Sequence, residues 1–221
     1  MTTPVWDNEA ALRAQVCEVG RNVWNRGYVS ANDGNITAKL DDQHILCTPT
    51  GVSKGYLTPE MLTVMDLDGN IVVPPAPGYK PTSEVKMHLA QYRANPALGG
   101  AVHAHPMYAT VMAIRGRALT EQLMPESSIA MPEVPLAPYA TPSTEGVGEA
   151  TAQFALTHSA CLMEHHGAFS WGKDVWGAYL NMERLEYTAQ ITYLLEQVGG
   201  LRELPADEVA KLIGMRAQYG L

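Results

Sequence analysis

The chain has 221 residues, 46% of them hydrophobic, with 15 Lys and Arg against 23 Asp and Glu and a formal net charge of -8 at pH 7. That composition fits one globular domain with a full core and excludes a chain dominated by disorder. The acidic field argues against nucleic acid and anionic membrane as partners, so a phosphorylated substrate would need local help from backbone amides, hydroxyls and a metal ion. Cys17, Cys47 and Cys161 are odd in number and sit in apolar segments, the pattern of buried, reduced thiols in a cytoplasmic protein. Residues 1–8 show neither a basic nor an apolar leader region, and no run approaches the ~20 apolar residues of a membrane span, so the expectation is a soluble, unprocessed chain.

Ala11, Leu12, Val16, Val19 and Val23 recur at helical spacing, with Asp7 or Asn8 as cap and Gly27 just past the end. Residues 30–35 are a cluster of turn formers, followed by strand candidates at 36–40 and 44–48 that turn at Asp41-Asp42. A second hairpin is expected for 63–66 and 71–73 around Asp68-Gly69-Asn70. The Pro-rich piece 74–81 is a loop, and Thr82-Ser83-Glu84 opens a helix to about Ala94 with a hydroxyl residue as its cap. A strand over 99–106 carries His103-Ala104-His105, Pro106 starts the next helix, and Gly116 ends it. Residues 118–141, with four prolines, read as irregular with one or two brief strands. A helix capped by Ser143 or Thr144 runs to about Thr157, and 160–165 and 168–171 form a hairpin across Gly167. The longest helix runs from an Asp174 cap to Gly199-Gly200, and a last one from near Pro205 to the closing Tyr219-Gly220-Leu221. These elements predict a single α/β domain over 1–221, a central, mainly antiparallel sheet with helices on both faces.

Alternate side chains of a strand share a face, so His103 and His105 are able to converge on one metal ion, although the same spacing also occurs on solvated strands. His166, at the end of a separate apolar run before Gly167, is suited to meet them across a sheet, while His165 points away. Glu84 completes three imidazoles and a carboxylate, a donor set for Zn2+ or another divalent ion such as Mn2+ or Co2+. Compensation of the helix dipole is the ordinary role of a glutamate at that place. His88 reads as a residue behind the ligands, and His44, His158 and His165 as surface or structural side chains. Gly34-Asn35, Thr50-Gly51 and Thr82-Ser83 offer amides or hydroxyls to an anion, though turn formation alone explains each pair.

Taken in order, Gly34-Asn35, Thr48-Pro49-Thr50-Gly51, Pro81-Thr82-Ser83-Glu84, His103-Ala104-His105 and His165-His166-Gly167 resemble the class II aldolase/adducin family, and within it most closely the L-fuculose-phosphate aldolases. The likeness runs from the first helix to the last residue. It implies a homotetramer with active sites at subunit interfaces, Zn2+ held by His103, His105 and His166, and Glu84 as a catalytic carboxylate that also ligates the metal when substrate is absent. It implies Gly34, Asn35, Thr50, Gly51, Thr82 and Ser83 as holders of the substrate phosphate, and Tyr219 as an acid or base reaching a neighbouring active site. An ungapped count puts Met124 where those aldolases carry a second active-site tyrosine. The related ribulose-phosphate epimerases tend to have aspartate in place of Glu84, which disfavours epimerisation.

The activity so implied is reversible cleavage of a ketose 1-phosphate, like L-fuculose 1-phosphate or a 5-deoxypentulose 1-phosphate, to dihydroxyacetone phosphate and a small aldehyde. With zinc as the Lewis acid no Schiff-base lysine is needed, and Lys39, Lys54 and Lys80 take no covalent part. Two other readings go with the same likeness. A methylthioribulose-1-phosphate-type dehydratase would keep the metal and phosphate sites, whereas a non-catalytic, adducin-like interaction module need not keep the ligands.

Overall fold

Aspartates in short turns lay down the first half of the sheet. Asp41 accepts from the amides of Gln43 and His44 between β1 (Asn35–Lys39) and β2 (His44–Cys47), and Asp66 accepts from those of Asp68 and Asn70 between β3 (Thr63–Asp66) and β4 (Ile71–Val73). The computed structural model describes residues 6–220. Adding β5 (Gly100–Ala104), β6 (Leu136–Ala137), β7 (Ala160–Met163) and β8 (Gly167–Gly172) gives one eight-stranded sheet, ordered β4-β3-β2-β1-β5-β8-β7-β6. Every neighbouring pair is antiparallel except β6–β7, in agreement with the expected sheet.

Side-chain alternation divides the core into two layers. Ile36, Ala38, Leu46, Val102, Ala104, Leu162 and Ala168 point to one face, where they pack with residues of α1 (Glu9–Asn25), α3 (Met107–Ile114) and α6 (Val175–Gln197). Ile45, Cys47, Ala101, Cys161, Met163, Phe169 and Trp171 point to the other, where they pack with residues of α2 (Val85–Ala94) and α5 (Glu145–Ala152). Helix α6 buries Val175, Ala178, Met182, Leu185 and Ala189 at three- and four-residue steps, and the Asp174 carboxylate caps it by accepting from Gly177 N. All three cysteines are buried and free. Among the described residues no helix is long and apolar enough to cross a membrane.

The structure departs from the expected elements in a few places. The hydroxyl cap of α2 is not formed: Glu84 occupies the cap position, and Thr82 Oγ1 accepts from its amide instead. Pro125 starts a further helix, α4 (Pro125–Ala130), inside the segment expected to be irregular, because proline is pre-set for a first helical turn. Helix α5 stops at Ala152, and the following residues make single turns up to His158. Strand β7 ends at Met163, so residues 164–166 form the hairpin turn, with His165 at φ +55°. The last helix is α7 (Ala206–Gly214) followed by a 3₁₀ turn at Arg216–Tyr219.

The start of α6 lies directly on β5. A Cβ at Gly100 would sit 2.3 Å from Val175 Cα and 2.4 Å from its nitrogen, so only glycine allows that approach. Gly100→Ala is expected to cost about 2–3 kcal/mol by overpacking backbone against backbone, measured by denaturant unfolding; an unchanged midpoint would mean that α6 shifts freely.

Candidate active site

Strand β5 runs between β1 and β8, with His103 opposite Asn35 on one side and Phe169 on the other. That register turns His103, 0% exposed, to the α2 face of the sheet. His105 lies one residue beyond the strand, its amide donating to Tyr28 O at 2.8 Å, and its ring packs on Gly167, where a Cβ would come within 2.6 Å of Cδ2. His166 comes from the β7–β8 turn rather than from a strand end. The three rings stand 4.7–5.1 Å apart, centre to centre, and one nitrogen of each lies within 4.8 Å of the others.

Partners behind the rings fix which nitrogen faces inward. His103 Nδ1 lies 2.9 Å from Ala168 O, which accepts only, so Nδ1 carries the proton and Nε2 presents a lone pair. His105 Nδ1 faces the Asp33 carboxylate at 3.5 Å, which likewise leaves its Nε2 open, 3.1 Å from His103 Nε2. Two inward lone pairs at that distance repel unless a proton or cation lies between them. Burial, followed by the neighbouring imidazoles, holds His103 well below the usual histidine pKa. Burial is also the leading cause of the lowered pKa of His166, against an opposing pull from Glu84. Neutral imidazole is the metal-binding form.

Glu84 reaches this cluster from the start of α2. Its Oε2 lies 3.5 Å from His103 Nε2, and its Oε1 lies 3.4 Å from His166 Nε2. Oε1 and His166 Nδ1 are both buried with no hydrogen-bond partner among the described residues. An orphaned carboxylate oxygen beside three converging nitrogens is the donor chemistry of a divalent cation, and His103, His105, His166 and Glu84 are the residues that would hold one.

A buried chain of hydrogen bonds braces Glu84. Asn35 Nδ2 donates to Glu84 Oε2 at 2.8 Å, Asn35 Oδ1 lies 2.5 Å from His88 Nε2, and His88 Nδ1 lies 2.8 Å from Thr37 Oγ1, which meets Tyr92 Oη at 3.0 Å. The Asn35 oxygen only accepts, so His88 Nε2 is the donor. His88 therefore stands behind the ligands as expected, although it acts through Asn35. Asn35, expected at a phosphate, has its side chain bonded to Glu84 and His88, because β1 turns it to the α2 face.

The three anion loops come together. Thr48 N donates to Ile36 O and its Oγ1 accepts from Ile36 N, Thr50 N donates to Lys80 O, and Thr82 N donates to Thr48 O. The Thr50 and Thr82 amides are thus used within the chain, while the Gly34, Gly51 and Ser83 amides have no partner among the described residues. Thr50, Gly51 and Ser83 are exposed and Thr82 is buried. Met124 lines a cavity of about 670 Å3 with Tyr28, Tyr108 and Glu186. Tyr219, 60% exposed, lines a cavity of about 430 Å3 with Pro125, Arg184 and Leu212. Within one chain none of the three histidines lines either cavity. Sequence reasoning missed the place of Asp33 beside His105, whose signal was its position in the turn before Gly34.

Three converging imidazoles and a carboxylate form a cluster that could hold a metal ion. The chain belongs to the family described as the class II aldolase and adducin N-terminal domain, whose model matches residues 14–193. It is 34% identical to the 3-oxo-tetronate 4-phosphate decarboxylase of Pectobacterium atrosepticum, over 93% of this chain and 94% of that one. It is 30% identical to the L-fuculose phosphate aldolase of Methanococcus maripaludis, over 82% of this chain and 96% of that one. The crystal structure of YgbL from Klebsiella pneumoniae superposes with a TM-score of 0.84 at 32% identity, covering 92% of this chain and 98% of the other.

Burial pushes the His88 pKa from 6.5 down to about 3. Between those values the unfolded chain carries a proton that the folded protein refuses, so stability falls as pH drops through the window, by up to about 1.4 kcal/mol per pH unit. His88→Asn is expected to flatten the slope of unfolding free energy between about pH 6 and pH 4. It should also lower turnover about tenfold at unchanged metal content, since Glu84 loses its brace. Equal slopes in the two proteins would rule out a neutral buried imidazole.

Proposed function

We propose that this chain is a metal-dependent carbon–carbon lyase that cleaves a phosphorylated keto substrate next to its ketone and releases dihydroxyacetone phosphate. The observation that carries this reading is the convergence of His103, His105 and His166 with Glu84. Breaking a bond to the carbon beside a ketone leaves an electron pair there, and the barrier falls only if the resulting enediolate is stabilised. A divalent cation held by these residues would supply the Lewis acidity that stabilises this developing charge. Glu84, held in place through Asn35, returns a proton to the enediolate carbon. The Gly34, Gly51 and Ser83 amides with the Thr50, Thr82 and Ser83 hydroxyls hold the phosphate. Retention of all the ligands favours an enzyme over an adducin-like module.

The departing half is carbon dioxide in our first reading. A 3-oxo-tetronate 4-phosphate is a β-keto acid: its C1–C2 bond breaks, the bonding pair passes to the enediolate, and one proton at C2 completes dihydroxyacetone phosphate. No acid or base is needed at the departing oxygens, and Met124 has none to offer. Relatives named for this reaction match 92–93% of the chain. The second reading, aldol cleavage to a small aldehyde, is favoured by the fuculose phosphate aldolases among the relatives. It requires a group to take the hydroxyl proton, the role proposed for Tyr219 from a neighbouring subunit. Exposed Trp176, Leu180, Tyr187 and Leu194 on α6 support a homo-oligomer, which we take to be a tetramer working in the cytoplasm.

Zinc-loaded protein is expected to form dihydroxyacetone phosphate and CO2 from 3-oxo-tetronate 4-phosphate, with chelation or His103→Ala removing a stoichiometric ion and lowering the rate about a hundredfold or more. Lactaldehyde from L-fuculose 1-phosphate at a higher kcat/KM would select the aldolase reading. A folded protein that binds no metal and cleaves neither substrate would defeat both. Tyr219→Phe is expected to slow aldehyde formation about tenfold or more and leave CO2 release unchanged; equal rates in both assays would remove Tyr219 from the chemistry.

A further inference from the structure

Lys54 is the one buried cationic side chain among the described residues, 1% exposed. It opens the 3₁₀ turn Lys54–Tyr56 beneath α1, close enough that a Cβ on Gly20 would lie 2.6 Å from its carbonyl oxygen. Its ammonium donates to Asn32 O at 3.0 Å and to Val52 O at 2.6 Å, and forms no salt bridge among the described residues. Asp33 is the acidic group whose charge bears on it, and that carboxylate faces His105. A desolvated cation served by two neutral carbonyls is costly to keep, and burial, partly offset by Asp33, pulls the Lys54 pKa down to about 8. The two carbonyls belong to the two loops that present unpartnered amides: Asn32 precedes Gly34, and Val52 follows Gly51.

We propose that Lys54 is the fixed countercharge of this anion site: from beneath, it ties the Asn32–Gly34 and Gly51–Val52 segments together and supplies the positive potential that favours a phosphate monoester dianion on their amides. This rests on the phosphate reading given above. Lys54 does not touch the ligand. It is a positioning residue, and it answers how a chain of net charge -8 attracts a dianion.

The test uses zinc-loaded protein titrated calorimetrically with inorganic phosphate and sn-glycerol 3-phosphate, with glycerol as the uncharged control. Lys54→Gln keeps an amide donor for the loop carbonyls and removes the charge. It is expected to weaken both phosphate ligands about tenfold or more, at unchanged metal content and with KM rather than kcat altered. Lys54→Arg is expected to retain most of the affinity. In the wild type, without recourse to any variant, the Lys54 Nζ resonance should titrate about one pH unit higher with glycerol 3-phosphate bound, the reciprocal of a tenfold effect. Wild-type affinity in Lys54→Gln, or an unmoved Nζ titration, would reduce Lys54 to a mechanical brace and overturn the proposal while leaving the phosphate reading intact. If the wild type binds neither phosphate ligand, that reading fails and this one fails with it.

Discussion

The register of β5 between β1 and β8 is the constraint on which the site depends. With His103 opposite Asn35 and Phe169, the imidazole and the amide that braces Glu84 face the same side of the sheet, under α2. A slip of one residue would turn His103 into the apolar layer of Val102 and Ala104 and leave its nitrogens without Ala168 O, Glu84 or the other rings. Hydrophobic burial fixes the register: Val102 and Ala104 are fully enclosed on the α1–α6 face, so the alternate positions must point to the metal side. The chemistry therefore inherits its geometry from packing on the opposite face of the same strand.

Burying so many polar atoms in a sheet is costly unless each has a partner, and the partners are distributed unevenly. His88, Thr37 and Tyr92 satisfy one another and end on Asn35. The open ends of the network, Glu84 Oε1 and His166 Nδ1, occur at the cluster itself. Gln91, Thr63 and Thr58 hold further unpartnered atoms elsewhere; the chain of bonds behind Glu84 is closed, whereas two buried atoms at the cluster lack a partner among the described residues. Lowered histidine pKa values add to this, since a cation entering at neutral pH has no proton to displace from His103 or His166.

Features written in local sequence were legible. The Asp68-Gly69-Asn70 turn, the Asp174 cap and the two-residue spacing of His103 and His105 each act through near neighbours, and all appear where periodicity and turn chemistry put them. Features that depend on a distant partner were not. Asn35 reads as a turn residue beside Gly34, and only the β1–β5 pairing reveals that its amide meets Glu84, 49 residues away. Lys54 looks like any surface lysine until the fold closes α1 over its backbone and the Asn32 loop over its ammonium. Helix α4 was hidden by prolines that mark loops as often as helix starts.

The division of labour within the fold bears on which reaction is catalysed. Decarboxylation of a β-keto acid and retro-aldol cleavage of a ketose phosphate create the same enediolate, so both ask the same things of the sheet: histidine ligands, Glu84 and the amide loops. They differ only in whether the departing group must lose a proton. The residues we propose to bear on that difference are not on the sheet. Met124 stands at the head of α4, and Tyr219 lies in the last turn, beyond residue 193 where the family match ends. Changing the electrophile therefore requires alteration only in peripheral helices, which leaves the strand register and the metal ligands untouched. A family built on this sheet can diverge between two such reactions at little cost to its core.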